Sequence, residues 1–269
     1  MADIGAAFRA LHAPGDPFVI PNPWDMGSAR MLAAMGFKAL ATTSAGYAFA
    51  LGRPEGTLSF EEQVDHGGDL AGAIALPVSA DLEKGAGDTP ESAAETVRRA
   101  AAAGLAGCSL EDATGDPAAP IYDFALAVEK VAAAAEAARG LDRDFVFTAR
   151  AENFLHRRPD LDDTLKRLEA FAAVGADALY APGLPDLAAI EAACALGKPV
   201  NALMGGSGAM FTVAELAEAG VARISVGSAF ARLAYGAVIR AATDIRDSGG
   251  FETLRAGASF REIEALLKP

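Results

Sequence analysis

The chain has few of the residues that build covalent or metal-bound frameworks. Its 269 residues include only two cysteines, Cys108 and Cys194, and three histidines. Two well-separated thiols form no disulfide framework, and neither they nor the histidines have the spacing of a metal site. We expect both cysteines to be free thiols, which is typical of a protein from a reducing cytoplasm.

Basic residues and long apolar runs are also scarce. The chain has 23 Lys and Arg residues against 36 Asp and Glu residues, which gives a formal net charge of −13. Nucleic acids and anionic membranes are bound by basic patches, so this charge argues against both as partners. No apolar run approaches the ~20 residues that a membrane span needs. The N-terminal residues show no signal-peptide pattern, and we therefore predict a cytoplasmic protein.

What the sequence does contain is an alternation of short β-rich runs and alanine-rich helical stretches. The predicted strands are Phe18–Pro21, Ala39–Thr43, Val78–Asp81, Gly107–Glu111, Phe145–Arg150, Ala178–Ala181, Val200–Leu203 and Ile224–Gly227. The predicted helices lie near residues 25–35, 60–74, 90–103, 123–139, 161–174, 186–195, 212–219 and 228–247. Eight strand–helix repeats predict an α/β fold, a single (β/α)₈ TIM-type barrel over residues 1–269. Residues 250–269 are predicted to add a helical tail, which favours an oligomer.

An open, doubly wound sheet is the main alternative fold. Such a sheet usually has fewer units and a glycine-rich dinucleotide-binding turn after its first strand. Here the first predicted strand continues into Pro21-Asn-Pro-Trp-Asp25, which is no such turn. The barrel is therefore favoured.

Charged residues stand at the ends of three predicted strands, namely Asp81, Glu111 and Arg150, with Glu83 two residues after Asp81. In a barrel of this kind the active site lies at the C-terminal ends of the strands. Mg²⁺ prefers oxygen ligands and usually keeps several waters. We predict that Asp81 is a direct Mg²⁺ ligand and that Glu83 and Glu111 hold bound waters. The alternative is a solvated acidic rim or a helix cap.

Arg150 and the loop after the second predicted strand suggest an acidic substrate. A guanidinium can donate two parallel hydrogen bonds to a carboxylate, although a salt bridge to the neighbouring acids is the simpler role. The loop from Thr42 to Gly46 offers a hydroxyl group and free N–H groups, so it is either an anion-binding nest or an ordinary polar turn. Together they predict a site for a small organic acid.

Three other features near the strand ends are ambiguous. Trp24 can form a wall of the pocket, and His156 is the one histidine expected near the barrel mouth. His66 is expected to face solvent on its helix. The glycine-rich loop Met204–Gly208 follows the seventh strand, where barrels often bind phosphate, although a flexible loop is the simpler interpretation.

Several motifs occur in a fixed order between about residues 18 and 235. They are Asn22-Pro-Trp-Asp25 with Ser28-Ala29, Thr43-Ser44-Ala-Gly46, Gly52-Arg-Pro-Glu55, Asp81-Leu-Glu83-Lys-Gly85, Gly107-Cys-Ser-Leu-Glu111-Asp112 and Ala149-Arg150. Together they resemble the isocitrate lyase/phosphoenolpyruvate mutase superfamily. The resemblance implies an α/β barrel that binds Mg²⁺, or Mn²⁺ in its place, and a 2-oxo acid that reacts through an enolate.

The resemblance also implies roles for individual residues. The implied metal residues are Asp81 as direct ligand, Glu83 and Glu111 acting through water, and Glu55 near the metal. The implied substrate-binding residues are Ser44, Ala45, Gly46 and Arg150, and Trp24 is predicted from its position to bind substrate with them. Ser44, Glu111 and Arg150 are also predicted to be catalytic. A homo-oligomer, either a dimer or a tetramer with the last barrel helix exchanged between subunits, is implied as well.

The loop after Glu111 departs from the best-known members. Residues 113–122 contain none of the cysteine, histidine or lysine residues of the isocitrate and methylisocitrate lyases, nor the asparagine and lysine of the mutase. Pro182 stands where the mutase has a pocket histidine. Both isocitrate-type cleavage and phosphoryl transfer are thereby disfavoured.

Oxaloacetate decarboxylation needs little beyond an electron sink and a later protonation, so a Mg²⁺-dependent lyase for a small 2-oxo dicarboxylate is the leading hypothesis. Three alternatives stay open. They are carbon–carbon cleavage of a 2-methylisocitrate- or dimethylmalate-like acid, phosphonopyruvate hydrolase or mutase chemistry, and a barrel that binds a 2-oxo acid without catalysis.

Overall fold

The computed structural model describes residues 3–206, 208 and 210–268, and within them the chain forms eight strands in one parallel sheet. The strands are β1 (Phe18–Ile20), β2 (Leu40–Ala41), β3 (Val78–Asp81), β4 (Gly107–Glu111), β5 (Val146–Arg150), β6 (Ala178–Tyr180), β7 (Val200–Leu203) and β8 (Arg223–Ser225). Their order around the sheet is β1-β8-β7-β6-β5-β4-β3-β2. The predicted strands are confirmed. Ser207, in the loop considered for phosphate, lies outside the described residues.

The sheet curves into a nearly closed barrel. Its first and last members in the sheet order are β1 and β2, and they meet through two hydrogen bonds near their ends. The N–H of Ala41 donates to the carbonyl of Pro21 over 3.0 Å, and the Asn22 side chain donates to the carbonyl of Thr42 over 2.9 Å. The (β/α)₈ prediction is therefore confirmed.

Helices follow the strands and cover the outside of the barrel. They are α1 (Ile4–Ala10), α2 (Met26–Ala34), α3 (Ser44–Ala50), α4 (Phe60–Ala73), α5 (Pro90–Ala102), α6 (Phe124–Arg139), α7 (Leu161–Ala173), α8 (Leu187–Cys194), α9 (Val213–Glu218), α10 (Ala229–Ser248) and α11 (Phe260–Leu267), with a 3₁₀-helix at Glu252–Ala256. The caps explain where several begin. Ser59 caps α4 in a reciprocal capping box with Glu62, and Thr89 caps α5 with Pro90 in the first turn.

Two short helices were not predicted from the sequence. One is α1, which precedes the barrel and buries Phe8 against Phe18 of β1. The other is α3, which begins where the sequence suggested an open loop after β2. The side chain of Thr43 accepts a hydrogen bond from the N–H of Gly46 and so caps this helix. The predicted nest is thus the first turn of a helix.

The barrel interior is polar close to its axis. Arg223 of β8 is buried there without an acidic partner among the described residues. Its Nε donates to Asn201 Oδ1 over 2.9 Å and its Nη2 to Thr148 Oγ1 over 3.1 Å. Burial lowers the pKa of Arg223 to about 10. Its Nη1 lies 3.3 Å from His12 Nε2, so uncharged oxygens and an imidazole surround this guanidinium below the mouth of the barrel.

The helix that follows the eighth strand, α10, does not cover the barrel wall as the other helices do. Among its residues only Ala231 is buried, and the helix contacts α3 and the 3₁₀-helix. The predicted C-terminal tail forms the 3₁₀-helix and α11, neither of which has a buried residue. The exposed apolar side chains of this region include Leu233, Val238, Ile239, Phe251, Leu254 and Phe260. Among the described residues, no helix is long and apolar enough to cross a membrane.

Candidate active site

Three neighbouring strands bring the predicted charged residues to one place. In the parallel register, Asp81 of β3 lies beside Ser109 of β4, and Glu111 of β4 lies beside Arg150 of β5. The loops after these strands enclose a cavity of about 870 Å³ at the C-terminal face of the barrel. Asp81, Glu111 and Arg150 all line it. The convergence predicted from the sequence is observed.

Arg150 lies at the centre of a cluster of carboxylates. Its Nη1 is 2.7 Å from Asp81 Oδ1, and its Nη2 is 3.2 Å from Glu111 Oε2. Its Nε and Nη2 donate to Glu152 Oε1 over 3.1 and 2.8 Å. The guanidinium carbon also lies 4.8 Å from the centre of the Tyr180 ring. These partners raise the pKa of Arg150 although its burial acts in the opposite direction.

The surroundings of the carboxylates in this cluster are unfavourable for negative charge. Burial raises the pKa of Glu111 well above its usual value, with Glu152, Asp81 and Glu83 adding to the effect and Arg150 opposing it. Burial and the neighbouring Asp81 also raise the pKa of Glu83. One guanidinium thus faces more acidic groups than it can neutralise, so a cation at this place would be stabilised.

Glu152 was not predicted as a site residue, and it is the most deeply buried acid of the cluster. Its N–H donates to Asp112 Oδ1 over 2.8 Å, and Asp112 in turn pairs with Arg167 over 3.0 Å. Burial raises the pKa of Asp112 to about 6. The sequence signal was the pair Arg150-Ala-Glu152, since residues two apart at a strand end lie on the same side.

Most predicted site residues line the cavity, and three do not. Those that line it are Ser44, Glu55, Asp81, Glu83, Glu111 and Arg150. Glu55 is exposed at its rim. Ala45 and Gly46 are buried in the first turn of α3, and Trp24 packs behind them, because a Cβ atom on Gly46 would lie 2.9 Å from the Trp24 Cβ. This arrangement does not support direct contact between Trp24 and a molecule in the cavity.

The structure separates the histidines into different roles. His156 lines the cavity, with Nε2 3.9 Å from Glu152 Oε2. The expectation that His66 faces solvent is wrong, because its ring is buried and stacks on Tyr47 with 3.7 Å between ring centres. Burial lowers the pKa of His66 to about 4. Only the packing of α3 against α4 reveals this.

The cavity offers carboxylate oxygens to a divalent cation. Among the described residues, no group of three or more His, Cys, Asp or Glu side chains is arranged to hold a metal ion by itself. Asp81, Glu83 and Glu111 nevertheless face one cavity, and Arg150 shares their charge. This set fits a cation with few protein ligands and several waters, which is the habit of Mg²⁺.

Hydrogen bonds join the loop after β4 to the loop after β3. Lys84 donates to Asp88 over 2.8 Å and to the carbonyl of Thr114 over 2.9 Å. The hydroxyl of Tyr122 donates to the same Asp88 carboxylate. The buried Lys130 lies over the Tyr122 ring at 4.1 Å, and burial lowers its pKa to about 8. These contacts hold the edge of the cavity in place.

A parallel eight-stranded barrel with an acid-lined cavity at the C-terminal ends of its strands defines this protein as an enzyme-type α/β barrel. The family model described as phosphoenolpyruvate phosphomutase matches residues 8–246. The chain therefore belongs to the phosphoenolpyruvate phosphomutase family, and the predicted resemblance to the isocitrate lyase/phosphoenolpyruvate mutase superfamily is confirmed.

Three known proteins illustrate the relationship. An uncharacterised protein of Mycobacterium tuberculosis is 32% identical, over 97% of this chain and 96% of that protein. An oxaloacetate decarboxylase of Ectopseudomonas mendocina is 28% identical, over 92% of this chain and 85% of that enzyme. A solved structure from Burkholderia cenocepacia J2315, provisionally assigned as a lyase or mutase, is 53% identical, with a TM-score of 0.94 over 98% of this chain and 95% of that one. These similarities agree with an enzyme of the lyase and mutase type.

Proposed function

We propose that this chain is a Mg²⁺-dependent carbon–carbon lyase that acts on a small 2-oxo dicarboxylate, with oxaloacetate decarboxylation as the leading reaction. The observation that carries the proposal is the excess of carboxylates around Arg150 in a cavity of about 870 Å³. In this reaction the bond between C3 and the departing carboxylate breaks, CO₂ leaves, and the electron pair forms an enolate. The enolate then takes up a proton at C3 to give pyruvate.

The residues would divide the work as follows. Asp81 would be the direct ligand of Mg²⁺, Glu83 and Glu111 would hold its waters, and Glu55 would lie near the metal at the rim. Bound Mg²⁺, or Mn²⁺, would supply Lewis-acid stabilisation of the negative charge that develops on the substrate oxygen. Ser44 and Arg150 then bind and orient the substrate carboxylate. The oxaloacetate decarboxylase relative supports this choice of substrate.

The test measures pyruvate released from oxaloacetate by purified protein with Mg²⁺. Free Mg²⁺ also decarboxylates oxaloacetate, so a sample with Mg²⁺ and no protein is the control. The rate with protein should exceed the rate of this control. Asp81→Ala should reduce the rate of Mg²⁺-dependent turnover by about 10²-fold or more. The far-UV circular dichroism spectrum of the variant should match that of wild type. A wild-type rate equal to the metal-only rate, or full turnover by Asp81→Ala, would refute the assignment.

A second reaction is favoured by a separate observation. A mainly apolar cavity of about 210 Å³ lies along β7 and the loops that follow β5, β6 and β7, lined by residues that include Phe154, Leu184, Ile190 and Met204. Leu155 lines both this cavity and the acidic one. Such a space suits an alkyl substituent, so cleavage of a branched 2-hydroxy acid such as dimethylmalate or 2-methylisocitrate is the second candidate. Assaying both acids beside oxaloacetate separates the two reactions.

Two further alternatives are tested on the same purified protein by other measurements. Phosphonopyruvate hydrolysis or isomerisation is suggested by the name of the family, and ³¹P NMR of phosphonopyruvate mixtures would detect either. A barrel that binds a 2-oxo acid without catalysis would show tight binding and no product from the whole panel.

We also propose that the chain forms a homo-oligomer. The support is α10, a helix of 20 residues with one buried side chain, together with the apolar residues of the tail. An apolar helix face of this size is normally covered in a folded protein, and a second copy of the chain is the partner that the superfamily resemblance implies.

A further inference from the structure

The only glutamine in the chain, Gln63, lies beside the acidic cavity. The capping box of Ser59 and Glu62 fixes the first turn of α4 and thereby turns Gln63 towards the barrel. Gln63 is 6% exposed, and its Nε2 donates to Glu83 Oε2 over 3.1 Å. A helix outside the barrel thus contacts a carboxylate inside the cavity through a single side chain.

Two features of the residues in this contact are unfavourable for stability. The carbonyl oxygen of Gln63 is buried and has no hydrogen-bond partner. Glu83 has a φ of +50°, and the only other non-glycine residue with a positive φ among those described is Arg157. An unpaired buried oxygen and a strained backbone are both unfavourable, and proteins keep such features mainly where function requires them.

We propose that Gln63 is a positioning residue for Glu83, which it holds in the orientation that lets this carboxylate bind a water of the Mg²⁺ ion. The inference rests on the proposed function. Gln63 touches Glu83 and not the reacting atoms, so its effect passes through the carboxylate. By donating Nε2 to Glu83 Oε2, it holds one carboxylate oxygen in place and so fixes the direction in which this carboxylate faces the cavity.

The test compares Gln63→Met with wild type and with a matched control. Met keeps the length of the side chain and removes both the donor and the unpaired oxygen. The control is Asn153→Leu, because the Asn153 carbonyl oxygen is likewise buried and unpaired, while its Nδ2 donates to Asp163 over 2.7 Å and not to a predicted metal residue. Mn²⁺ binding is followed by electron paramagnetic resonance of the free ion, and the stability of the metal-free protein by thermal melting.

Gln63→Met should weaken Mn²⁺ binding by about 10- to 100-fold, as loss of an outer-shell hydrogen bond usually does. Its metal-free melting temperature should equal or exceed that of wild type, and Asn153→Leu should bind Mn²⁺ as wild type does. Gln63→Leu, which also lacks both polar atoms, repeats the test if the Met variant is obtained unfolded.

Equal Mn²⁺ affinity of wild type and Gln63→Met would overturn the inference and leave the proposed metal site intact. A similar loss of affinity in Asn153→Leu, or a lower metal-free melting temperature of Gln63→Met, would overturn it in favour of a purely structural contact. Absence of Mn²⁺ binding by wild type would overturn the proposed metal site together with the inference.

Discussion

At the scale of the residue, three carboxylates depend on Arg150. Asp81, Glu111 and Glu152 all lie within 3.2 Å of its guanidinium nitrogens. Breaking a buried ion pair by removing one partner leaves uncompensated charge, and that is more costly than loss of the attraction itself. Arg150 therefore stabilises the fold as well as binding a substrate in the proposed reaction.

Replacement of Arg150 by Leu should destabilise the protein by about 3–5 kcal/mol near neutral pH. Without the guanidinium, the pKa of Glu111 in the folded state should rise still further above its value in the unfolded chain. The folded state then binds protons more readily than the unfolded state, so stability should increase as the pH falls. The loss of stability caused by the replacement should therefore be larger near pH 8 than at about pH 5.

Urea denaturation of wild type and variant at both pH values measures this effect. Arg98→Leu is the matched control, since Arg98 forms an exposed pair with Glu95 and its loss should change stability by at most about 1 kcal/mol. A loss caused by Arg150→Leu that is independent of pH would contradict the proposed charge balance.

At the scale of the element, the first turn of α3 is tightly packed against Trp24. Gly46 lies in the first turn of this helix, and a Cβ atom there would lie 2.6 Å from Thr43 Cγ2 and 2.9 Å from Trp24 Cβ. Both atoms are attached to or near the backbone and cannot move away easily. The glycine is therefore required by packing, although alanine is the better helix former.

Gly46→Ala should accordingly destabilise the protein by about 1–3 kcal/mol through overpacking. Gly72→Ala in α4 is the opposite case, because nothing lies within 4 Å of the added methyl group. It should stabilise the protein by about 0.5–1 kcal/mol through the helix propensity of alanine. Midpoints of urea unfolding compare the two, and a stabilising Gly46→Ala would show that Trp24 does not pack rigidly on this helix.

At the scale of the whole molecule, α10 and the tail are the part that the barrel does not explain. Seven of the predicted barrel helices bury an apolar side against the sheet or against neighbouring helices, whereas α10 leaves Leu233, Val238 and Ile239 about two-thirds exposed. A helix with this pattern is stable when another surface covers it. The homo-oligomer proposed above would provide that surface.

Ile239→Asp should weaken the oligomer by about 10-fold or more, because the carboxylate would be buried without a partner. Size-exclusion chromatography with light scattering should show a dimer or tetramer for wild type and a smaller species for the variant at equal concentration. Val213→Asp, at an exposed apolar position of α9, should leave the mass unchanged. A monomeric wild-type protein would rule out the oligomer.

The strands and the main acidic residues were predictable from the sequence because both depend on local patterns. Short β-rich runs between alanine-rich helices define strand ends to within two residues, and a parallel barrel brings all strand ends to one face. Asp81, Glu111 and Arg150 could therefore be placed together before their distances were known. Local order along the chain was sufficient for this step.

Other features were decided only by the tertiary structure, because they depend on residues far apart in the chain. The pairing of Asp112 with Arg167 spans 55 positions, and the contact of Gln63 with Glu83 joins α4 to a loop of the barrel. The burial of His66 requires α3 to lie against α4. The sequence by itself thus determined the barrel and the charges at its mouth, whereas packing between distant elements decided which partners surround those charges, since burial and hydrogen bonding are properties of the assembled layers.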